Sequence, residues 1–254
     1  MALIVTGHQR SGTTLLGRLF EPHPEVRITG EFGYFLEVGA PRGRYVRRLL
    51  KRWGGIAIRG WRWNLMIPSN RFVLQYLHRI VGAGADGVTV EVIEQALHDL
   101  LPGVQIVGDK YPEYIWSLDD LATKEGLSAL VIYRDCRDVT SSTLRKARTD
   151  WRHMPLFVRK LDTAEKVARR WVRAIDLMEA HRDKIFMVRY EELVTNAREQ
   201  TARISEWLGI DPEGFKVKHI SDSSIGRYQS GLTQAEIDTV MKIAGPTMAR
   251  LGYL

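Results

Sequence analysis

Residues 5–16 read VTGHQRSGTTLL, an apolar run that breaks at Gly7 and resumes as an apolar periodic segment after Gly12. Leu3 to Thr6 has the composition of a short buried strand, and Thr13 to Phe20 that of a helix, ended by Pro22 and Pro24. Two glycines five positions apart between a strand and a helix let successive backbone N–H groups turn inward, and the helix N-terminus favours an anion there. The hydroxyls of Ser11, Thr13 and Thr14 add donors. A nucleoside-triphosphatase loop, GxxxxGK[ST], would carry lysine where this chain has Thr13, so the lysine–magnesium arrangement is missing. The cation is instead Arg10, before the second glycine, at the crown of the loop.

Outward from this loop, Val26 to Thr29 reads as a second strand leading into Gly30-Glu31. Gln105 to Gly108, Ala129 to Tyr133 and Ile185 to Val188 are brief apolar runs of the kind buried on both faces. Thr89 to Leu101 predicts a helix, closed by Pro102-Gly103. Asp162 with Glu165 predicts a capped helix running to about His181, with Val167, Trp171, Ile175 and Met178 as its apolar stripe. Asn196 with Glu199 starts a helix ending at Gly209, and Thr233 with Glu236 starts the last one. Residues 40–80 read as less regular. Alternating strands and helices predict an α/β fold with a parallel sheet covered on both faces. No repeat, low-complexity tract or linker divides the chain, so residues 1–254 read as one domain.

The 37 Lys and Arg exceed the 30 acids by seven, which favours an anionic partner. One cysteine, Cys136, excludes an internal disulfide. No apolar run approaches the roughly 18 residues of a spanning helix, and no leader is evident, which together predict a cytoplasmic protein.

A second constellation is Tyr133-Arg134-Asp135-Cys136-Arg137-Asp138-Val139-Thr140-Ser141-Ser142. The strand delivers Arg134 to its C-terminal end, where open α/β sheets bind ligands. Asp138 is placed to cap the next helix, which would carry Ser142 on its second turn. Arg10 to Leu16 resembles the 5′-phosphosulfate loop of sulfotransferases that use 3′-phosphoadenosine 5′-phosphosulfate (PAPS), in the arginine form of the tyrosylprotein type and its bacterial relatives. Arg134 and Ser142, eight apart, resemble the family's grip on the 3′-phosphate. Smaller matches follow in family order: Lys110 in Gly108-Asp109-Lys110-Tyr111-Pro112, Tyr190 in Arg189-Tyr190-Glu191-Glu192-Leu193, and Gly226 and Arg227 in Ser224-Ile225-Gly226-Arg227-Tyr228. The resemblance covers residues 3 to about 228.

The resemblance implies a P-loop nucleotide-hydrolase-like three-layer fold and transfer of a sulfuryl group from PAPS to an acceptor hydroxyl. It implies that Arg10, Ser11, Gly12, Thr13, Thr14, Arg134, Ser142, Tyr190, Gly226 and Arg227 hold the donor. Arg10 and Lys110 would stabilise charge on the leaving group, and no metal is required. The acceptor's proton needs a general base. Glu31 matches the family's glutamate, and His8, inside the loop, is the rival; positive neighbours would keep His8 neutral. Two other readings stand: a P-loop kinase or ATPase, and a basic module for nucleic acid or membrane surfaces. Nucleic acid is the less favoured partner.

Residues 38–90 are the part least like the family and predict an acceptor wall or lid. Arg42, Arg44, Arg47, Arg48, Lys51, Arg52, Arg59, Arg62 and Arg71 crowd it together with Trp53, Trp61 and Trp63, a composition suited to sugars, lipid headgroups or single-stranded nucleic acid and open to peripheral membrane contact. Cys136, between Arg134 and Arg137, is either a small filler or a thiol acidified by its neighbours.

Overall fold

The structure, a computed structural model, describes residues 1–58, 69–84, 87–217 and 220–254, with only the backbone of 55–58. Arg59, Trp61, Arg62 and Trp63 therefore lie outside the described residues.

Five strands form one sheet: β1 (Ala2–Gly7), β2 (Val26–Gly30), β3 (Ile106–Lys110), β4 (Leu127–Tyr133) and β5 (Ile185–Arg189). Their order is β2-β3-β1-β4-β5, and every neighbouring pair is parallel. The helices in chain order are α1 (Thr13–Leu19), α2 (Arg42–Ile58), α3 (Asn70–Gly82), α4 (Val90–Leu100), α5 (Leu118–Leu121) and α6 (Cys136–Arg148). They continue with α7 (Pro155–Val158), α8 (Ala164–Ala180), α9 (Tyr190–Thr195), α10 (Ala197–Leu208), α11 (Tyr228–Gly231) and α12 (Gln234–Arg250).

Side chains alternate across the pleat and so divide the core into two layers. Ala2 and Ile4 of β1 face a core shared with Trp171 and Met178 of α8 and Met248 of α12. Leu3 and Val5 face the other, with Leu16 of α1, Leu193 of α9 and Ile204 of α10. The result is the expected three-layer α/β fold. From β1 the chain crosses to one side of the sheet, and after β3 it crosses back past β1 to β4. The loops after β1 and β4 therefore meet at the carboxyl edge where the winding reverses, the place such sheets bind ligands.

Three local expectations need correction. Residues 40–80 are not irregular in their described part: α2 and α3 occupy most of it. Tyr45 and Leu49, and Val73, Tyr76, Leu77 and Ile80, make the buried stripes, which the density of arginines on the exposed faces conceals. Thr163, not Asp162, caps α8, because its shorter side chain accepts from Lys166 N while Asp162 pairs with the Lys166 ammonium. Asn196 precedes α10 without a side-chain cap. The capping box of Thr233 and Glu236 is present as expected, and all four residues of the α8 stripe are buried.

Trp171 links the core to the ligand edge. It is fully buried, and its indole N–H donates to Arg134 O at 2.9 Å, just past the end of β4. Trp171→Ala is expected to lower the unfolding free energy by about 3–5 kcal/mol in urea titration. Trp171→Phe should cost less, about 1–3 kcal/mol, mostly from the carbonyl left unpaired. A Phe variant as damaged as the Ala variant would mean the indole bond, not the packing, holds this corner.

Candidate active site

The loop after β1 is pressed between two neighbours that leave no room for side chains at its glycines. A Cβ at Gly7 would stand 2.2 Å from Ile132 O of β4, and one at Gly12 2.5 Å from the ring of Tyr190. Both glycines have positive φ, +151° and +104°. Arg10 lies at the crown with φ 71°, a left-handed conformation unusual for arginine. Ser11 is buried, its Oγ has no partner among the described residues, and it is not among the residues lining either cleft. Thr13 and Thr14 line the open cleft beside it.

His8 is buried in the same loop, with Nδ1 2.8 Å from Gln9 O and Nε2 unpartnered. Its pKa falls from 6.5 to about 4, first because of burial and only then because of the Arg170 charge, against the hydrogen bond to Gln9. The imidazole is neutral, as expected, but chiefly by desolvation.

Arg134 and Ser142 come together with the loop. Arg10 Nε donates to Ser142 Oγ at 2.9 Å, and the Arg134 guanidinium lies 4.3 Å over the ring of Tyr190. Tyr190 thus touches both Gly12 and Arg134. Arg134 donates to Ser224 O and lies 3.3 Å from Asp138, while its Nε is buried without a partner. Arg10, Arg134, Arg145, Arg148 and Arg227 line one cleft of about 380 Å³, against Asp138 as the carboxylate lining it. The crowding is felt by Arg10, whose pKa is lowered by burial, then by Arg145 and Arg134.

Asp138 is not the helix cap it was expected to be. Asp135 caps α6 by accepting from Arg137 N at 2.7 Å. Asp138, in the first turn, accepts from Gly226 N at 2.8 Å and Tyr228 N at 2.9 Å, docking the C-terminal segment beside Arg134. That segment brings the exposed Arg227 to the cleft, with its Nε on Ser223 O. Cys136 is fully buried and burial raises its thiol pKa far above the usual range, so the acidified-thiol reading is wrong: desolvation outweighs the flanking arginines.

A second cleft, of about 580 Å³, adjoins the first through Arg10, which lines both. Glu31 lines it, with φ 59°, and its Oε1 accepts from Lys110 Nζ at 2.6 Å. Lys110 is fully buried and is not among the residues lining either cleft. The two meet because β2 and β3 are neighbours in register, Gly30 beside Lys110. Asp109 fixes the turn that carries Glu31: fully buried, it accepts from Gly33 N at 2.6 Å, Phe32 N at 3.3 Å, Thr29 Oγ1 at 3.3 Å and Tyr114 OH at 2.7 Å.

Several lining residues carry no motif. Gln9 donates to Glu113 across the cleft floor, and Trp151, His153, Met154, Leu156 and Phe157 form a wall after α6. The signal available for that wall was a Trp-Met-Pro-Leu-Phe composition between two helices, without periodicity. Among the described residues, none of 38–90 lines either cleft.

A parallel α/β sheet carries a lysine-free, glycine-turned loop at its winding reversal, with an arginine-lined cleft beside it. The chain belongs to the sulfotransferase family, which matches residues 2–214, and it is a sulfotransferase. No curated protein sequence matches it. Among solved structures it is similar to the sulfotransferase domain of the Synechococcus PCC 7002 olefin synthase, with TM-score 0.62, 19% identity, and coverage of 96% of this chain and 94% of that one. It is also similar to sulfotransferase STF9 from Mycobacterium avium, with TM-score 0.53, 16% identity, and coverage of 98% and 76%. Mouse sulfotransferase SULT7A1, solved in complex with PAP, gives TM-score 0.50 at 11% identity, with coverage of 98% and 84%. These likenesses are of fold. The family match displaces the kinase reading.

The His8 environment makes stability depend on pH. The folded pKa of about 4 lies below the 6.5 of the unfolded chain, so this contribution is complete above pH 6.5. It is lost as pH falls from 6.5 to about 4, amounting to about 3 kcal/mol. Unfolding titrations at neutral pH and near pH 4 should show a steeper loss for the wild type than for His8→Gln; parallel losses would mean His8 titrates normally.

Proposed function

We propose that the protein moves a sulfuryl group from PAPS to an acceptor hydroxyl, with Glu31 as general base. The observation that carries this reading is the pair of adjoining clefts sharing Arg10, one arginine-lined and one presenting a carboxylate. The residues fit a doubly phosphorylated nucleotide. Ser11 Oγ and Arg134 Nε are buried polar atoms without partners, which a bound anion would satisfy. Arg10, Ser11, Gly12, Thr13 and Thr14 would hold the 5′-phosphosulfate end, and Arg134, Ser142, Gly226 and Arg227 the 3′-phosphate end. Tyr190 would lie between them, where it already touches loop and arginine. The donor, when bound, supplies a sulfuryl group on a phosphate leaving group.

The chain's own part is alignment, charge stabilisation and proton removal. Arg10 and the loop N–H groups face the side of the cleft where negative charge would grow. Glu31 Oε1 is taken by Lys110, and among the described residues Oε2 has no donor, which makes Oε2 the oxygen for the acceptor's proton. Lys110 holds that carboxylate in place and brings positive charge beside it. His8 is the weaker base: it lines neither cleft. The acceptor wall or lid expected of residues 38–90 falls in part on residues 59–68 and 85–86, which lie outside the described residues.

Calorimetry in the presence of a chelator is expected to show binding of adenosine 3′,5′-diphosphate without magnesium, and much weaker binding of 5′-AMP. Arg134→Ala should weaken the diphosphate roughly 10- to 100-fold, the loss of a charge-assisted bond of about 1.5–3 kcal/mol. Equal affinity for the two nucleotides would remove PAPS as donor. Glu31→Gln should keep nucleotide affinity and abolish transfer of labelled sulfate to an acceptor; undiminished transfer would move the base elsewhere.

A further inference from the structure

The cleft that holds Glu31 opens beside an unusual lip. Leu156 is 80% exposed, the most exposed large apolar side chain among the described residues, and it also lines that cleft. A single surface leucine needs no explanation. This one sits at the tip of the short helix α7, next to Trp151, Met154 and Phe157, with the Trp151 and Phe157 rings edge to face at 5.2 Å. Trp151, Met154, Leu156 and Phe157 all line the cleft, and Leu156 is the one of them largely exposed.

Within the segment Trp151–Lys160 the formal charges, on Arg and Lys, all have one sign. Arg152, Arg159 and Lys160 are exposed and form no ion pair among the described residues, and no acid lies between Trp151 and Leu161. The nearest acids on either side are already paired, Asp150 with Lys146 and Asp162 with Lys166. An apolar tip flanked in sequence by exposed cations complements the interface of a bilayer bearing anionic headgroups: the leucine would enter the acyl boundary while the long cationic side chains reach the phosphates. An acidic protein surface would match the cations but give the bare leucine tip no apolar partner.

We propose that Trp151–Lys160 is a docking lip for an anionic lipid bilayer, which presents the Glu31 cleft to that surface. This shifts membrane contact from the basic face of α2 to the segment after α6. The docking itself does not depend on the donor. That the acceptor is a hydroxyl borne by a lipid at that interface rests on the function proposed above.

The test is co-sedimentation of the whole protein with phosphatidylcholine vesicles with and without phosphatidylglycerol. Binding is expected only to the anionic vesicles, and it should weaken as salt rises. Leu156→Asp should reduce it roughly 10- to 100-fold, the loss of one buried leucine. Arg159→Glu and Lys160→Glu should each cost about five-fold or more. Circular dichroism and the melting temperature report whether the Asp variant keeps its fold, and the two exposed charge reversals should leave affinity for adenosine 3′,5′-diphosphate unchanged. Absence of wild-type binding to anionic vesicles would overturn the proposal. So would full binding by Leu156→Asp, or loss only on reversing Arg44, Arg47 and Lys51 of α2. Intact vesicle binding without affinity for the diphosphate would strike the donor assignment and leave the lip standing.

Discussion

Arg10 Nε donates to Ser142 Oγ, and this one bond joins the loop after β1 to the helix after β4 across the carboxyl edge of the sheet. It holds a cation where cations already crowd, near Arg134 and Arg145, and where burial makes the charge harder to keep. The arrangement is electrostatically unfavourable by itself. The polyanionic donor proposed above would relieve it, so affinity and folding would pull on the same few side chains. Asp138 supplies the carboxylate in that cleft, and it is committed to the backbone of Gly226 and Tyr228. Arg134 pairs with Asp138 and Arg148 with Glu236, while Arg10, Arg145 and Arg227 form no ion pair among the described residues.

On the other side of Arg10, order comes from Asp109. Burial raises its pKa, while the Tyr114 hydroxyl and two backbone N–H groups draw it down. Those donors are the ones that fix the turn after β2, so the carboxylate organises the backbone carrying Glu31 without touching the cleft. Lys110, the next residue, pairs with Glu31 itself. Two consecutive residues of β3 thus point to opposite sides of the strand and serve one turn, one through backbone, the other through side chain.

What could be read from the residues alone follows a physical line. The loop from Gly7 to Thr14 and the Arg134–Ser142 helix start were legible because each is local: glycines, hydroxyls and a strand end within about ten residues dictate the geometry. All five strands were legible as short apolar runs. The Glu31–Lys110 pair was not, since it requires β2 to lie beside β3 across 79 residues, a fact of topology. Asp138 was misread for the same reason: a local cap competed with a partner 88 residues away, and Asp135 was the better-placed local cap. The wall from Trp151 to Phe157 carries no period and no motif, and the helices of residues 42–82 were hidden by the arginines on their outer faces.

Among the described residues, Arg10 and Glu31 are the two non-glycine positions with left-handed backbone. Such conformations disfavour side chains with a Cβ and are held by their surroundings. Glycine or asparagine at either place would relax the chain while removing the guanidinium or carboxylate proposed to act there. If the proposed roles hold, selection for robustness alone would drift toward an inert protein, and a screen for thermostable variants run without an activity gate would discard these two side chains early.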